Sequence, residues 1–272
     1  MVELQRTTEA RGDLLAVYAV SYDSVETLAR FSAAHGISYP LLSDVGSRFI
    51  EEIGLLNSTI EAEVVASGRT VAEKHHGLPY PGTFFLDENG TIIDTRFERY
   101  HRIRPTGNTL LARLLGAEEV PRASLVAESS PGVQIAAWLD SDVVSANQLQ
   151  DLHVRIQMDD DVHLYVEPVP QGYRALSLEL TGDGALRPRP HVIDGGRPFV
   201  VDGLDEEFFV VDGTLEVSIP FTVHSNRDTS GDPDRVVDVE LVVSYQACTR
   251  SECFAPERRT LRLSLTEIAN PA

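Results

Sequence analysis

The chain has 272 residues, 42% of them hydrophobic and 24% charged, which is typical of globular proteins and sufficient for two domains. Its 42 acidic and 23 basic residues give a formal net charge of -19, which repels phosphate backbones and disfavours a nucleic-acid partner. No apolar run is long enough to cross a bilayer, and no basic start followed by an apolar stretch marks a signal peptide, so we predict neither in this chain.

The front part of the chain alternates strand and helix patterns. A nearly continuous apolar run at residues 14–21 predicts a strand buried on both faces. The next helix is predicted to begin at Asp23 or Ser24 and to end at Gly36. Residues 37–42 are predicted to be extended, and a short helix follows between residues 43 and 54. This order of elements predicts an α/β domain over residues 1–116.

Two further elements complete this predicted domain. Residues 83–94 form two short strand patterns around Asn89-Gly90, a strong signal for a tight hairpin. A last helix is predicted at residues 108–115, ended by Gly116.

Four segments of this region, in order, resemble the redoxin (AhpC/TSA, peroxiredoxin-like) branch of the thioredoxin fold. They are residues 19–24, 31–36, 39–44 and 80–87. The resemblance implies that Pro81 is the cis-proline that faces the active site of this family. The local sequence alone leaves a trans turn proline as the default.

The chain departs from that family at its cysteine motif. Redoxins of this kind carry a strand and a Cys-x-x-Cys-type motif before a helix whose later part resembles residues 2–5 here. Residues 1–116 contain no cysteine. We therefore expect either a truncated start or a degenerate, non-catalytic domain, a sheet with two unpaired inner edges, and no peroxidase activity from the chain as written.

The pattern changes after residue 116. Residues 117–131 lack sustained periodicity and are predicted to be a linker. The remainder, residues 132–268, is predicted to be an all-β antiparallel sandwich, and we predict no helix after residue 150. The predicted strands are 152–158, 163–166, 176–180, 208–211, 215–223, 237–243 and 261–265.

The two cysteines of the chain, Cys248 and Cys253, lie in this second region between two strand patterns. A disulfide that closes so small a ring stabilises by only about 2 kcal/mol. Zinc would need further thiols or other ligands, because two cysteines supply half a site. Redox exchange, a structural disulfide and idle or metal-bound thiols all remain open from the residues alone.

The second region resembles the amino-terminal domain of the thiol:disulfide interchange protein DsbD. The resemblance rests on residues 163–165, on the strands 208–223, and on Tyr245-Gln-Ala-Cys248 with Cys253 and Pro256. It implies an immunoglobulin-like sandwich, a periplasmic or extracytoplasmic location, and electron exchange through Cys248 and Cys253 with thioredoxin-like redox proteins.

The family also shields its cysteines with an acidic and aromatic cap segment. The nearest candidate is residues 205–209, which contains Phe208, and Tyr165 is a possible neighbour from another strand. A plain core role remains open for both aromatic residues.

His153 and His163 lie on different predicted strands without an obvious carboxylate partner, so core or surface roles are expected. No nucleotide-binding or serine-hydrolase motif is present, and we predict no metal and no cofactor. The favoured hypothesis is thiol:disulfide exchange through Cys248 and Cys253. The alternative is a non-catalytic binding or scaffold protein with a degenerate front domain and a structural disulfide.

Overall fold

The computed structural model describes residues 2–9, 15–72, 75–100, 103–116, 122–200, 207–224 and 234–268. Two compact units make up the chain, Met1–Gly107 and Asn108–Ala272. Each unit has its own secondary structure and its own buried residues.

The elements of the first unit are α1 (Val2–Glu9), β1 (Ala19–Ser21), α2 (Val25–His35), β2 (Leu41–Ser43), α3 (Arg48–Glu52), α4 (Ile60–Ala66), β3 (Gly82–Leu86), β4 (Ile92–Phe97) and β5 (Arg104–Pro105). The elements that follow are α5 (Gly107–Leu115), β6 (Ala123–Ser130), β7 (Val133–Leu139), β8 (Val143–Ser145), β9 (Gln148–Met158), β10 (His163–Val166), β11 (Ser177–Gly182), β12 (Leu186–Pro188), β13 (Arg197–Val200), β14 (Glu207–Asp212), β15 (Thr214–Val223), β16 (Arg235–Tyr245), β17 (Ala247–Cys248) and β18 (Glu257–Ile268).

Helix α2 is bounded by the residues that the sequence predicts. The Ser24 side chain accepts a hydrogen bond from the Thr27 N–H, and Gly36 takes the left-handed conformation (φ 64°) that ends the helix. Helix α3 starts four residues after Asp44, whose carboxylate accepts the N–H groups of Phe49 and Ile50. Local capping chemistry therefore determines both helix starts.

The first unit contains two separate two-stranded sheets. Strands β1 and β2 pair in parallel, and β3 and β4 form the antiparallel hairpin predicted around Asn89-Gly90, with Gly90 at φ 81°. Within the described residues, no strand pairs with both sheets. This arrangement leaves β1 and β3 each with an unpaired edge, as we expected.

The first predicted strand is shorter and more exposed than expected. Only Ala19–Ser21 is a strand, Leu14 lies outside the described residues, and 39% of Val20 is exposed. The apolar run predicted a strand buried on both faces. Such a strand needs a paired neighbour at each edge and packed side chains over each face. Within the described part of the chain, strand β1 has a single hydrogen-bonded neighbour, β2.

The second unit is built on two main sheets. One has the strand order β12-β15-β9-β7-β6 and the other β11-β16-β18-β8, antiparallel throughout except for the β18–β8 pair. Alternate residues of both sheets pack into one buried cluster that includes Ile135, Leu152, Ile219, Leu241 and Leu263. Each predicted strand of the sandwich is present, and the described residues after 150 contain no helix.

The predicted linker is wrong where the structure describes it. Residues 117–121 lie outside the described part, but Ala123–Ser130 form β6, which pairs antiparallel with β7. Every residue of β6 is exposed or half-buried, so this strand lacks the regular alternation of buried apolar and exposed polar residues that predicts a strand. The predicted helix at 108–115 belongs by its contacts to the second unit, because Asn108 and Thr109 hydrogen-bond to Asp140.

Candidate functional site

A third, smaller sheet carries the cysteines. Its strand order is β13-β14-β10-β17, and its last strand ends at Cys248. Cys248 and Cys253 form a disulfide with 4.0 Å between their Cα atoms. The Phe254 N–H donates to Ala247 O at 2.9 Å, and the Thr249 N–H donates to Glu252 O at 2.7 Å. The disulfide therefore closes the end of a narrow antiparallel hairpin.

Residues before the first cysteine anchor this hairpin. The Tyr245 hydroxyl, on a side chain that is almost fully buried, lies 2.6 Å from Ser130 Oγ and 3.2 Å from Glu257 Oε2. Gln246 Nε2 donates to Phe254 O at 3.2 Å, across the hairpin. Tyr245 and Gln246 thus position the disulfide without touching its sulfurs.

The two cysteines lie in different environments. Cys248 is completely buried, whereas Cys253 is exposed. A thiolate approaching from solvent can therefore reach the Cys253 side of the bond, while Cys248 faces protein.

An aromatic cluster packs around the buried cysteine. Tyr165, Phe208 and Val210 form one buried cluster with Cys248, and Tyr173 packs against it. The ring centroids of Tyr165 and Phe208 are 5.3 Å apart, and those of Tyr173 and Phe208 are 4.8 Å apart. Apolar surroundings of this kind disfavour a charged sulfur at Cys248.

Tyr165 also reaches the second sulfur. Its hydroxyl lies 3.6 Å from Cys253 Sγ. Burial, with a smaller contribution from Tyr173, raises the pKa of the Tyr165 hydroxyl. The hydroxyl therefore keeps its proton at neutral pH and can donate it in a hydrogen bond to sulfur.

His163 lies directly opposite Cys248 in the β10–β17 pair and opposite Asp212 in the β10–β14 pair. It is buried, its ring contacts those of Tyr165 and Phe199, and its Nε2 has no hydrogen-bond partner. Burial, followed by the positive charge of Arg197, lowers the pKa of His163, and Asp212 opposes this shift. The sequence indicated only a core or surface role for this residue, because strand register cannot be read from spacing alone.

Two family models match the chain. The AhpC/TSA family model matches residues 1–95, and the model of the thiol:disulfide interchange protein DsbD, N-terminal, matches residues 136–265. The chain joins an AhpC/TSA redoxin region to a DsbD N-terminal domain. The front unit is accordingly a thioredoxin-like region, and the sandwich is of the immunoglobulin-like class, as the sequence predicted. At the level of these families, both parts point to thiol:disulfide exchange.

The solved structures that are similar to the chain include two N-terminal domains. The N-terminal periplasmic domain of ScsB from Proteus mirabilis is 15% identical, with a TM-score of 0.37 over 53% of this chain and 51% of that one. The Neisseria meningitidis DsbD N-terminal domain in its reduced form is 18% identical, with a TM-score of 0.27 over 42% of this chain and 75% of that one. The chain thus spans about half the length of the ScsB domain. A comparison with curated proteins gave no significant match.

The predicted cap of the DsbD N-terminal domain is described only in part. Residues 205 and 206 lie outside the described residues. Phe208 is fully buried and packs in one cluster with Cys248. The structure therefore brings Tyr165, Phe208, Cys248 and Cys253 together.

The prediction of a cis-proline in the redoxin region is wrong. The Tyr80–Pro81 bond is trans, and the cis peptide bond among the described residues is Glu167–Pro168. Pro81 directly precedes β3, and the Pro81 carbonyl accepts a hydrogen bond from the Glu98 N–H at 2.9 Å. The trans form, which is the intrinsic preference of an X-Pro bond, is compatible with this pairing.

In the part of the chain that the structure describes, no helix has the length and hydropathy needed to cross a membrane.

Proposed function

We propose that Cys248 and Cys253 are a redox pair that exchanges electrons with thioredoxin-like proteins, and that Cys253 is the sulfur attacked first. The observation that carries this proposal is the contrast in exposure between the two cysteines within a DsbD N-terminal domain. Residues 1–116 contain no cysteine, so the thiol chemistry proposed for this chain rests on Cys248 and Cys253.

The exchange proceeds in two displacements. A partner thiolate attacks Cys253 Sγ, the Cys248–Cys253 bond breaks, and Cys248 leaves as the thiolate while a mixed disulfide forms at Cys253. The second thiol of the partner then attacks the mixed disulfide and releases Cys253. The partner is oxidised to a disulfide and this pair is reduced to two thiols. The same steps in reverse pass the electrons onward.

The size of the ring supports a redox role over a structural one. A ring closed by cysteines five positions apart stabilises the fold by only about 2 kcal/mol in the loop-entropy model. The large buried core of the sandwich does not depend on so small a contribution. An extracytoplasmic location is part of the proposal, because disulfide pairs of this type operate in oxidising compartments.

Trapping tests which sulfur reacts. Cys248→Ser leaves Cys253 as a free thiol that cannot be resolved within the chain, so this variant is expected to accumulate a mixed disulfide with an oxidised thioredoxin. Cys253→Ser is the matched control, and we expect little adduct because its remaining thiol is buried. Intact-protein mass spectrometry and non-reducing gels measure the adduct.

The reduction potential of the full chain tests the function itself. An exchange protein is expected to equilibrate with thioredoxin or glutathione at a potential between about -180 and -270 mV. A value well below about -300 mV, together with no adduct in either variant, would contradict the proposal and favour a structural disulfide.

A further inference from the structure

The buried side of the disulfide needs a proton acceptor that the exchange scheme does not supply. When Cys248 closes the pair again, its thiol must lose a proton before it can attack Cys253. Cys248 is completely buried among apolar side chains, where a free thiolate is costly. In the disulfide-bonded structure, no part of Cys248 is accessible to solvent.

We infer that His163 is the general base that takes the proton from the Cys248 thiol during closure of the disulfide. The inference rests on the proposed redox function, and it adds a catalytic residue for the same reaction.

The register of the strands places the His163 and Cys248 side chains in neighbouring positions on the sheet. His163 and Cys248 are directly opposite in an antiparallel pair, so their side chains are on one face with Cβ atoms about 5 Å apart. Contact between the His163 and Tyr165 rings, at 5.6 Å, independently places the imidazole on the face where Tyr165 packs against Cys248.

His163 has the free atom that this role requires. Its Nε2 is buried and has no hydrogen-bond partner. A buried polar atom without a partner costs free energy, so its presence on the face of the sheet that carries Cys248 calls for a reason. A thiol proton on Cys248, which exists only in the reduced protein, is a donor that could satisfy it.

The charged groups around His163 favour a neutral imidazole before proton transfer. Arg197 on β13 and burial both lower its pKa, so the imidazole is neutral at neutral pH and able to accept a proton. Asp212 on β14 lies opposite His163 and is paired with Arg197. Its carboxylate stabilises the imidazolium that forms after transfer. Among the described residues, Tyr165 on β10, Tyr173 and Cys248 on β17 are further titratable groups of this cluster.

Closure of the disulfide is a displacement within the chain. Cys253 is held in a mixed disulfide with the partner, and the Cys248 sulfur attacks Cys253 Sγ. The Cys248–Cys253 bond forms, the bond between Cys253 and the partner breaks, and the partner leaves as a thiolate. The Cys248 proton moves to His163 Nε2. No further oxidant is consumed, because the partner disulfide accepts both electrons.

An aromatic disulfide reagent, applied to the full chain, separates the capping of Cys253 from the closure of the disulfide by Cys248. Reduced protein treated with dithiobis(nitrobenzoate) first releases one nitrothiolate as Cys253 is capped, and then a second as Cys248 displaces the cap. In the wild type, the second phase is expected to be constant at high pH and to fall about tenfold per unit below the His163 pKa. This pKa lies below the ordinary value.

His163→Phe keeps an aromatic ring against Phe199 and Tyr165 and removes the base. We expect its second phase to slow by about 100-fold at neutral pH and to rise with pH up to the ionisation of the Cys248 thiol. Its first phase should stay within about twofold of the wild type, since Cys253 is exposed. His224→Gln, at an exposed histidine of the same unit, is the matched control and should leave both phases unchanged.

The outcomes separate this inference from the proposed function. A second phase with the same rate and pH profile in the wild type and His163→Phe would show that His163 only packs. If His163→Phe does not fold, the wild-type profile decides, because a second phase without a midpoint below about pH 6.5 contradicts the inference. A wild type that lacks the second phase altogether would overturn the redox function and this inference with it.

Discussion

At the scale of single residues, the site owes its asymmetry to which atoms face solvent. Cys248 and Cys253 belong to one bond, but one is completely buried and the other is exposed. The Tyr165 hydroxyl, held by a buried ring, approaches the exposed sulfur at 3.6 Å. In the reduced protein this O–H can donate to a Cys253 thiolate, which favours the charged and reactive form.

Tyr165→Phe is therefore expected to raise the pKa of the Cys253 thiol and to slow its capping at neutral pH. A hydrogen bond worth about 1 kcal/mol corresponds to a rate about fivefold lower. The pH dependence of the first phase with the aromatic disulfide reagent measures both quantities.

Tyr173→Phe is the matched control for this prediction. Its ring packs against Tyr165 and Phe208 in the same cluster, and among the described residues no hydrogen bond joins its hydroxyl to either sulfur. An equal loss of rate in both variants would indicate a packing effect and contradict a role for the Tyr165 hydroxyl.

At the scale of elements, a buried polar network links α5 to the end of β7. Asp140 is completely buried, with one carboxylate oxygen 2.5 Å from His153 Nε2 and the other accepting the Thr109 hydroxyl at 2.8 Å. His153 Nδ1 lies 2.9 Å from Ser218 Oγ on β15. The sequence predicted no carboxylate partner for His153, because Asp140 follows a different strand.

Asp140→Ala is expected to lower the free energy of unfolding by about 3 kcal/mol, since it leaves Thr109 and His153 buried without their main acceptor. Chemical denaturation followed by tryptophan fluorescence measures the loss, because Trp138 stacks on His153. The control is Asp142→Ala, at an exposed carboxylate of the same loop, for which the change should stay within about 0.5 kcal/mol. Equal stability of the two variants would refute a structural role for the network.

At the scale of the whole molecule, the two units differ in how completely their sheets are paired. Strands β16 and β18 pair along their full length and bury Leu241, Val243 and Leu261. Strands β1 and β2 form a sheet of two short strands, and Val20 and Leu42 remain exposed. Two-stranded sheets are only marginally stable without further packing.

Hydrogen exchange is expected to follow this difference. Backbone amides of β16 and β18 should be the slowest of the chain, while those of β1 and β2 should exchange much faster, because local opening there breaks few buried contacts. Peptide-level mass spectrometry of the intact chain resolves the two regions. Similar protection in both would contradict the inference that the front unit is the less stable one.

Much of the fold could be predicted from local signals. Ser24 and Gly36 bound α2, Asn89-Gly90 makes a hairpin, and the alternating runs of the second unit became strands. Strand β6 was missed because it is largely exposed and lacks an apolar period. The Pro81 prediction was wrong because the isomer of an X-Pro bond depends on tertiary contacts more than on neighbours in sequence.

The sequence by itself determined the two families and identified the cysteine pair, because motifs and hydrophobic periods are local properties of the chain. Only the tertiary structure decided that Cys253 is exposed, that Cys248 is buried and that His163 lies across from it. Exposure and register depend on which strands pair over long separations: 85 positions divide His163 from Cys248. No local pattern encodes that pairing, because it results from the packing of the entire sandwich.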